Sequence, residues 1–148
     1  MAEERIEEWP LTALLRSARA SVGGAIRESL EGSDMDDLPP NGPFVIGAIA
    51  RSSAPLGAIV RQLGGSKQAA GQLVDTLVIR GYLERSIDPD DRRRLIVRLT
   101  TRGETAAKLI RSAIERLEAE LELATGRDRV EAARQVLADL VRMGSTHA

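Results

Sequence analysis

The chain has 148 residues, enough for one ordinary core, and is 43% hydrophobic and 29% charged, a balance suited to a soluble folded domain. It has no cysteine, one histidine and one each of Trp, Tyr and Phe, which excludes disulfides, thiolate metal sites and cysteine redox chemistry. The formal charge of −1 hides three blocks: residues 1–43 carry four basic against nine acidic side chains (net −5), residues 44–112 twelve against six (+6), and residues 113–148 five against seven (−2). A basic middle between acidic ends suggests that the middle meets an anion. No apolar run approaches the ~18 residues of a membrane span, and MAEERIEEWP is acidic rather than signal-like, so a cytoplasmic protein without a membrane partner is expected. The length suggests a single domain over 1–148.

In chain order, Leu11, Leu14, Leu15, Ala18, Val22, Ala25, Ile26 and Leu30 recur at intervals of three and four and predict one helix ending near Gly32. GSDMDDLPPNGP then reads as a loop, with Pro39, Pro40 and Pro43 all opposing helix, and a short apolar helix follows over Phe44–Ala50. Pro55 suits the first turn of a third helix through Leu56, Ile59, Val60 and Leu63, which stops at Gly64–Gly65. Ser66 is placed to cap a fourth helix, striped by Ala70, Leu73, Val74, Leu77 and Val78 and ended by Gly81. Two short helices joined by a glycine turn make a helix-turn-helix.

YLERSI and LIVRL are rich in β-formers and flank the charged run DPDDRRR, so they predict a hairpin with its charges at the tip. Thr101 with Glu104 reads as a capping box opening a fifth helix, striped by Ala106, Leu109, Ile110, Ala113, Ile114, Leu117 and Leu121. Gly126 separates it from a last helix carrying Val130, Ala133, Val136, Leu137, Leu140 and Val141, and the tail GSTHA reads as disordered. The fold class is mainly α with a small β-hairpin wing. The first, fifth and sixth helices are long and apolar-striped, and a second copy of the chain would cover them best.

No Ser–His or Cys–His pairing offers a nucleophile with its base. Gly64–Gly65–Ser66–Lys67 lacks the spacing of a phosphate-cradling loop, and the turn belongs between helices. The only histidine, His147, stands next to the chain's last residue, and one histidine without cysteine does not make a transition-metal site. Neither an enzyme nor a cofactor is expected.

Over SKQAAGQLVDTLVIRGYLERSIDPDDRRRLIVRLTTRGE, residues 66–104, the chain resembles the MarR family of bacterial winged helix-turn-helix regulators. The features that carry this are a recognition helix, G-Y-L-x-R, an acidic wing ending D-R-R, a strand and L-T-x-x-G; the resemblance extends over roughly residues 8–143. It implies a homodimer joined through helices at 8–32 and 104–143, with the DNA-binding winged helix at 44–103. It further implies binding to double-stranded DNA at a pseudo-palindromic operator, and a small effector, in the family often an anionic aromatic compound, that tunes affinity. Gln72 and Thr76 stand where the family often has Arg or another long donor, and Gly71 interrupts the helix at roughly 1 kcal/mol against Ala. These departures bear on which DNA sequence is read and leave the mode of docking as the resemblance implies.

Ser66, Lys67, Gln68 and Gln72 lie on the first turns of the recognition helix, where polar side chains reach base edges; Gln suits adenine and Lys guanine. Ser66 has capping as a rival role. Thr76 is a phosphate candidate, and Arg51 and Arg61 either hold the phosphate backbone or are simply solvated. At the wing, Arg92 and Arg93 match the tip residues that enter a minor groove, Arg94 is placed for phosphate, and Asp88, Asp90 and Asp91 can accept arginine hydrogen bonds and fix the tip. Asp88 and Asp91 are the orienting pair, and Arg85, at the end of the first strand, pairs with wing aspartates. Two rivals stay open: a winged-helix module that grips proteins, and an architectural protein that binds DNA without sequence preference.

Overall fold

The computed structural model describes residues 5–51, 56–63 and 66–146. After a 3-10 turn at Ile6–Glu8 come α1 (Leu11–Leu30), α2 (Gly42–Arg51), α3 (Leu56–Leu63), α4 (Lys67–Ile79), β1 (Leu83–Ile87), β2 (Leu95–Leu99), α5 (Thr101–Thr125) and α6 (Arg127–Thr146). They form two compact units, 1–113 and 114–148. No helix among the described residues is long and apolar enough to cross a membrane.

The first unit is built on aliphatic stripes, as periodicity requires. Ile26 and Leu30 of α1, Val45 and Ile46 of α2, Ile59 of α3, Val74 and Leu77 of α4 and Ala106 and Ile110 of α5 are all buried. The exception to the aliphatic rule is Tyr82, which is fully enclosed. A phenol can be enclosed only if its hydroxyl finds a partner, and here it donates to Asp37 Oδ1. Burial foremost, and then this carboxylate, push the Tyr82 pKa far up. Arg102 stacks on the ring, 4.3 Å from its centre, and donates to Asp37 Oδ1 at 3.2 Å and to the Asp34 carbonyl at 2.6 Å. Arg80 donates to the Asp37 carbonyl. The loop after α1 is thereby tied to the end of α4 and the start of α5.

Antiparallel β1 and β2 pair Leu83 with Leu99, Arg85 with Val97, and Ile87 with Leu95. The hairpin is anchored at its root by the end of α4. Gly81 lies at φ +77, its N–H bonds Val78 O at 3.0 Å, and Tyr82 N–H bonds Leu77 O at 2.9 Å. These two bonds are the double closure of a helix by a left-handed residue, and glycine adopts that backbone without a Cβ penalty.

Several expectations need correction. The second helix begins at Gly42, after Asn41 at φ +65, so Pro43 lies inside its first turn; a missing N–H costs nothing there. β1 starts at Leu83, one residue later than read. The fifth helix is capped by Thr100, whose Oγ1 accepts Gly103 N–H at 3.1 Å and donates to Gly81 O. Thr101 is already the first helical residue, so the Thr101–Glu104 box does not form. The segment expected to be disordered continues α6 to Thr146. Pro55, Gly64, Gly65 and His147 lie outside the described residues.

Within the second unit, Gly126 turns at φ +92 between α5 and α6, and Arg134 pairs with Glu118 at 3.2 Å. Leu121, Leu123, Val136, Leu137, Leu140, Val141 and Met143 are exposed there. Two helices alone cannot enclose their own apolar stripes, which is why these side chains meet solvent in a single chain.

Candidate nucleic-acid interface

Ser66 precedes α4 with extended backbone, and its hydroxyl accepts Ala69 N–H at 3.1 Å. The capping role is therefore occupied, though a hydroxyl keeps a hydrogen to donate. α4 buries Ala70, Val74 and Leu77 at intervals of four and three, and this rolls Lys67, Gln68, Gln72 and Asp75 into solvent. Thr76 is half-buried and donates its hydroxyl to Gln72 O at 2.9 Å, so its donor is already used. Arg51 and Arg61 are exposed at the ends of α2 and α3.

The wing loop is closed where Asp88 N–H bonds Arg94 O at 2.8 Å. Inside it, Arg94 N–H bonds Asp91 O at 2.9 Å, which defines a β-turn with Arg92 and Arg93 as its central residues. Asp91 Oδ1 accepts Arg93 N–H at 3.0 Å, and Asp88 Oδ1 accepts Asp90 N–H at 2.9 Å. These are Asx turns, in which a short carboxylate replaces a backbone carbonyl. Here the expectation changes in kind. The aspartates hold backbone N–H groups, and among the described residues none pairs with Arg92, Arg93 or Arg94. Three arginines run together through an ordered turn, all exposed, with their guanidinium groups free.

Arg85 does not pair with wing aspartates. It stands mid-strand, and its guanidinium bonds Asp75 on the exposed side of α4. With both partners exposed such a pair adds little stability, yet it fixes the strand against the helix. Nothing local announces it, because the two residues are ten apart and belong to different elements. The Asp37 contacts escaped sequence reading for the same reason, and Thr100 became the α5 cap because its hydroxyl also reaches Gly81 O, 19 residues away.

A separate cavity of about 660 Å³ lies against α1, the loop after it and the start of α2. Arg16, Arg19, Arg27, Met35 and Phe44 are among its lining residues. Arg19 stacks 4.7 Å from the Phe44 ring centre and donates to Asn41 Oδ1 at 3.2 Å.

A capped recognition helix, a hairpin braced on it and an arginine-tipped turn define a winged helix-turn-helix. The MarR family model matches residues 36–94, from the loop before α2 to the end of the wing loop. No curated protein matches the chain in sequence. Among solved structures it is similar to Streptococcus pneumoniae FabT in complex with DNA, at 17% identity and TM-score 0.72, covering 93% of this chain and 97% of that one. It is likewise similar to MarR (22%, TM-score 0.72, 99% and 97% covered) and to the transcriptional repressor CouR bound to a 23-mer DNA duplex (24%, TM-score 0.70, 89% and 92%). At these identities the likeness is one of fold. The family match over residues 36–94 and the likeness to solved structures point the same way, to the winged-helix fold of that family.

Proposed function

We propose that the protein is a transcriptional regulator that binds double-stranded DNA sequence-specifically, acting in the cytoplasm as a repressor. The observation that carries this is the ordered wing turn, which leaves Arg92 and Arg93 unpaired beside an exposed polar helix start. Narrow minor grooves concentrate negative potential and accept such guanidiniums. Lys67, Gln68 and Gln72 read base edges in the adjacent major groove, with the Ser66 hydroxyl hydrogen available beside them. Arg94 meets phosphate, and Thr76 is restricted to accepting through its oxygen. DNA-bound FabT and CouR, which share the fold, support this reading.

The whole chain acts as one functional domain of a homodimer. Segments 8–32 and 104–143 join the copies, so that two winged helices face a pseudo-palindromic operator. The exposed apolar side chains of α6 support this pairing. The cavity beside α1 suits an anionic aromatic effector, since Arg16, Arg19 and Arg27 supply cations and Phe44 a ring face.

The direct test enriches duplexes from a random-sequence pool and titrates the best of them at several salt concentrations. Affinity falls with a log–log slope near 0.9 per neutralised phosphate. Arg92→Ala with Arg93→Ala removes DNA affinity and leaves the sedimenting species dimeric. If no duplex binds better than random DNA at any salt, the sequence-specific reading fails; indifference to the double substitution with an intact dimer favours a protein-binding module.

A further inference from the structure

Ile87 and Leu95 are the outermost pair of the hairpin ladder and lie directly opposite each other. They are 60% and 62% exposed, large apolar side chains at the stem of an otherwise charged wing. Strand alternation sets them on one face with Leu83 and Val97, which close the core, and with Arg85, which reaches Asp75 of α4. The core stripe thus continues past the edge of the core, on the side of the hairpin that is braced to the recognition helix. Beyond it, within ~10 Å at strand rise, comes the arginine turn.

We propose that Ile87 and Leu95 are DNA contacts that pack on the deoxyribose edges of the groove wall while the arginine turn enters the groove. This rests on the DNA-binding reading above. Cross-strand pairing alone would explain an apolar couple, since such pairs steady hairpins. It does not explain why the couple stays open on the helix-braced face, next to cations that no carboxylate of the wing neutralises. A surface in which free guanidiniums border an apolar patch complements a polyanion whose phosphates alternate with sugar. Duplex DNA has that chemistry at its groove edges.

The experiment compares wild type, Ile87→Thr with Leu95→Thr, Ile87→Val with Leu95→Val, and Arg92→Ala with Arg93→Ala on the duplex enriched by wild type. Threonine is β-branched, a shape that strands favour. The threonine pair binds about tenfold more weakly, as expected for apolar area returned to water, with an unchanged salt slope. The valine pair binds within about twofold of wild type because it keeps most of that area. The arginine pair instead flattens the slope. Wild-type affinity in the threonine pair, while the arginine pair loses binding, overturns the apolar contact and leaves the regulator reading standing. A threonine-pair loss that comes with a flatter slope also overturns it, by assigning the loss to displaced arginines. If wild type enriches no duplex, both readings fall together.

Discussion

Gly103 offers the sharpest quantitative test of the packing. A Cβ built there would fall well inside contact distance of the Tyr82 carbonyl oxygen, 3.1 Å from the Tyr82 carbonyl carbon and 3.2 Å from Leu99 Cδ2. The obstacle is backbone, so no rotamer change relieves it; the Tyr82–Leu83 peptide must move. That peptide accepts Thr100 N–H at 3.1 Å, and Tyr82 N–H closes α4 on Leu77 O at 2.9 Å. Overpacking of this kind costs about 1–3 kcal/mol, and each backbone bond lost adds about 1 kcal/mol. Alanine returns roughly 1 kcal/mol of helix propensity, so Gly103→Ala is expected to lose about 2–4 kcal/mol net. For a chain of this length that lowers Tm by roughly 5–15 °C. Gly71 is the control, since it is also helical but has nothing within 4 Å of its added Cβ. Gly71→Ala should gain about 0.5–1 kcal/mol. Urea and thermal melts followed by far-UV circular dichroism measure both. Equal stability of the two variants, or a Gly103→Ala protein that melts at the wild-type temperature, would refute the close approach.

Two further expectations concern single groups. Ser66→Ala should destabilise by about 1 kcal/mol through loss of the α4 cap, whereas Ser66→Asp should keep wild-type stability and weaken DNA binding by placing an anion near phosphate; loss of stability in both variants argues against the cap. Tyr82 is the only tyrosine, so phenolate absorbance reports it alone. Its folded pKa is raised by burial and by Asp37, while an unfolded tyrosine titrates near ~10. The folded state keeps a proton that the unfolded state loses, so its stabilising share is full below that pH and declines as pH rises further. Phenolate should therefore emerge only together with alkaline unfolding. Phenolate growing in while the circular dichroism stays native would show that the hydroxyl is not enclosed.

Much of this was legible along the chain because the forces that make it are local. Helix bonds link residues four apart, so stripes such as Ala70, Val74 and Leu77 mark the buried face of α4 before any tertiary contact is known. Ser66 and Gly81 bracket that helix for equally local reasons, an accepted N–H at one end and a left-handed turn at the other. The alternating strands and the Asp-rich turn between them are likewise written in adjacent residues. Local rules reached their limit at Thr100 and Thr101. Either could cap α5, and the choice went to Thr100, whose hydroxyl also reaches Gly81 O across the hairpin root. Arg85 had acidic neighbours within its own hairpin, and tertiary packing offered it Asp75 instead. Asp37 looked like one more loop acid, until folding set Tyr82, Arg80 and Arg102 around it. Sequence alone determined the elements, their buried faces and the arginine-bearing turn, because these depend on spacing along one backbone. The pairing of distant polar groups, the need for glycine at position 103 and the open apolar couple at the wing stem were decided only when separate elements came within contact distance.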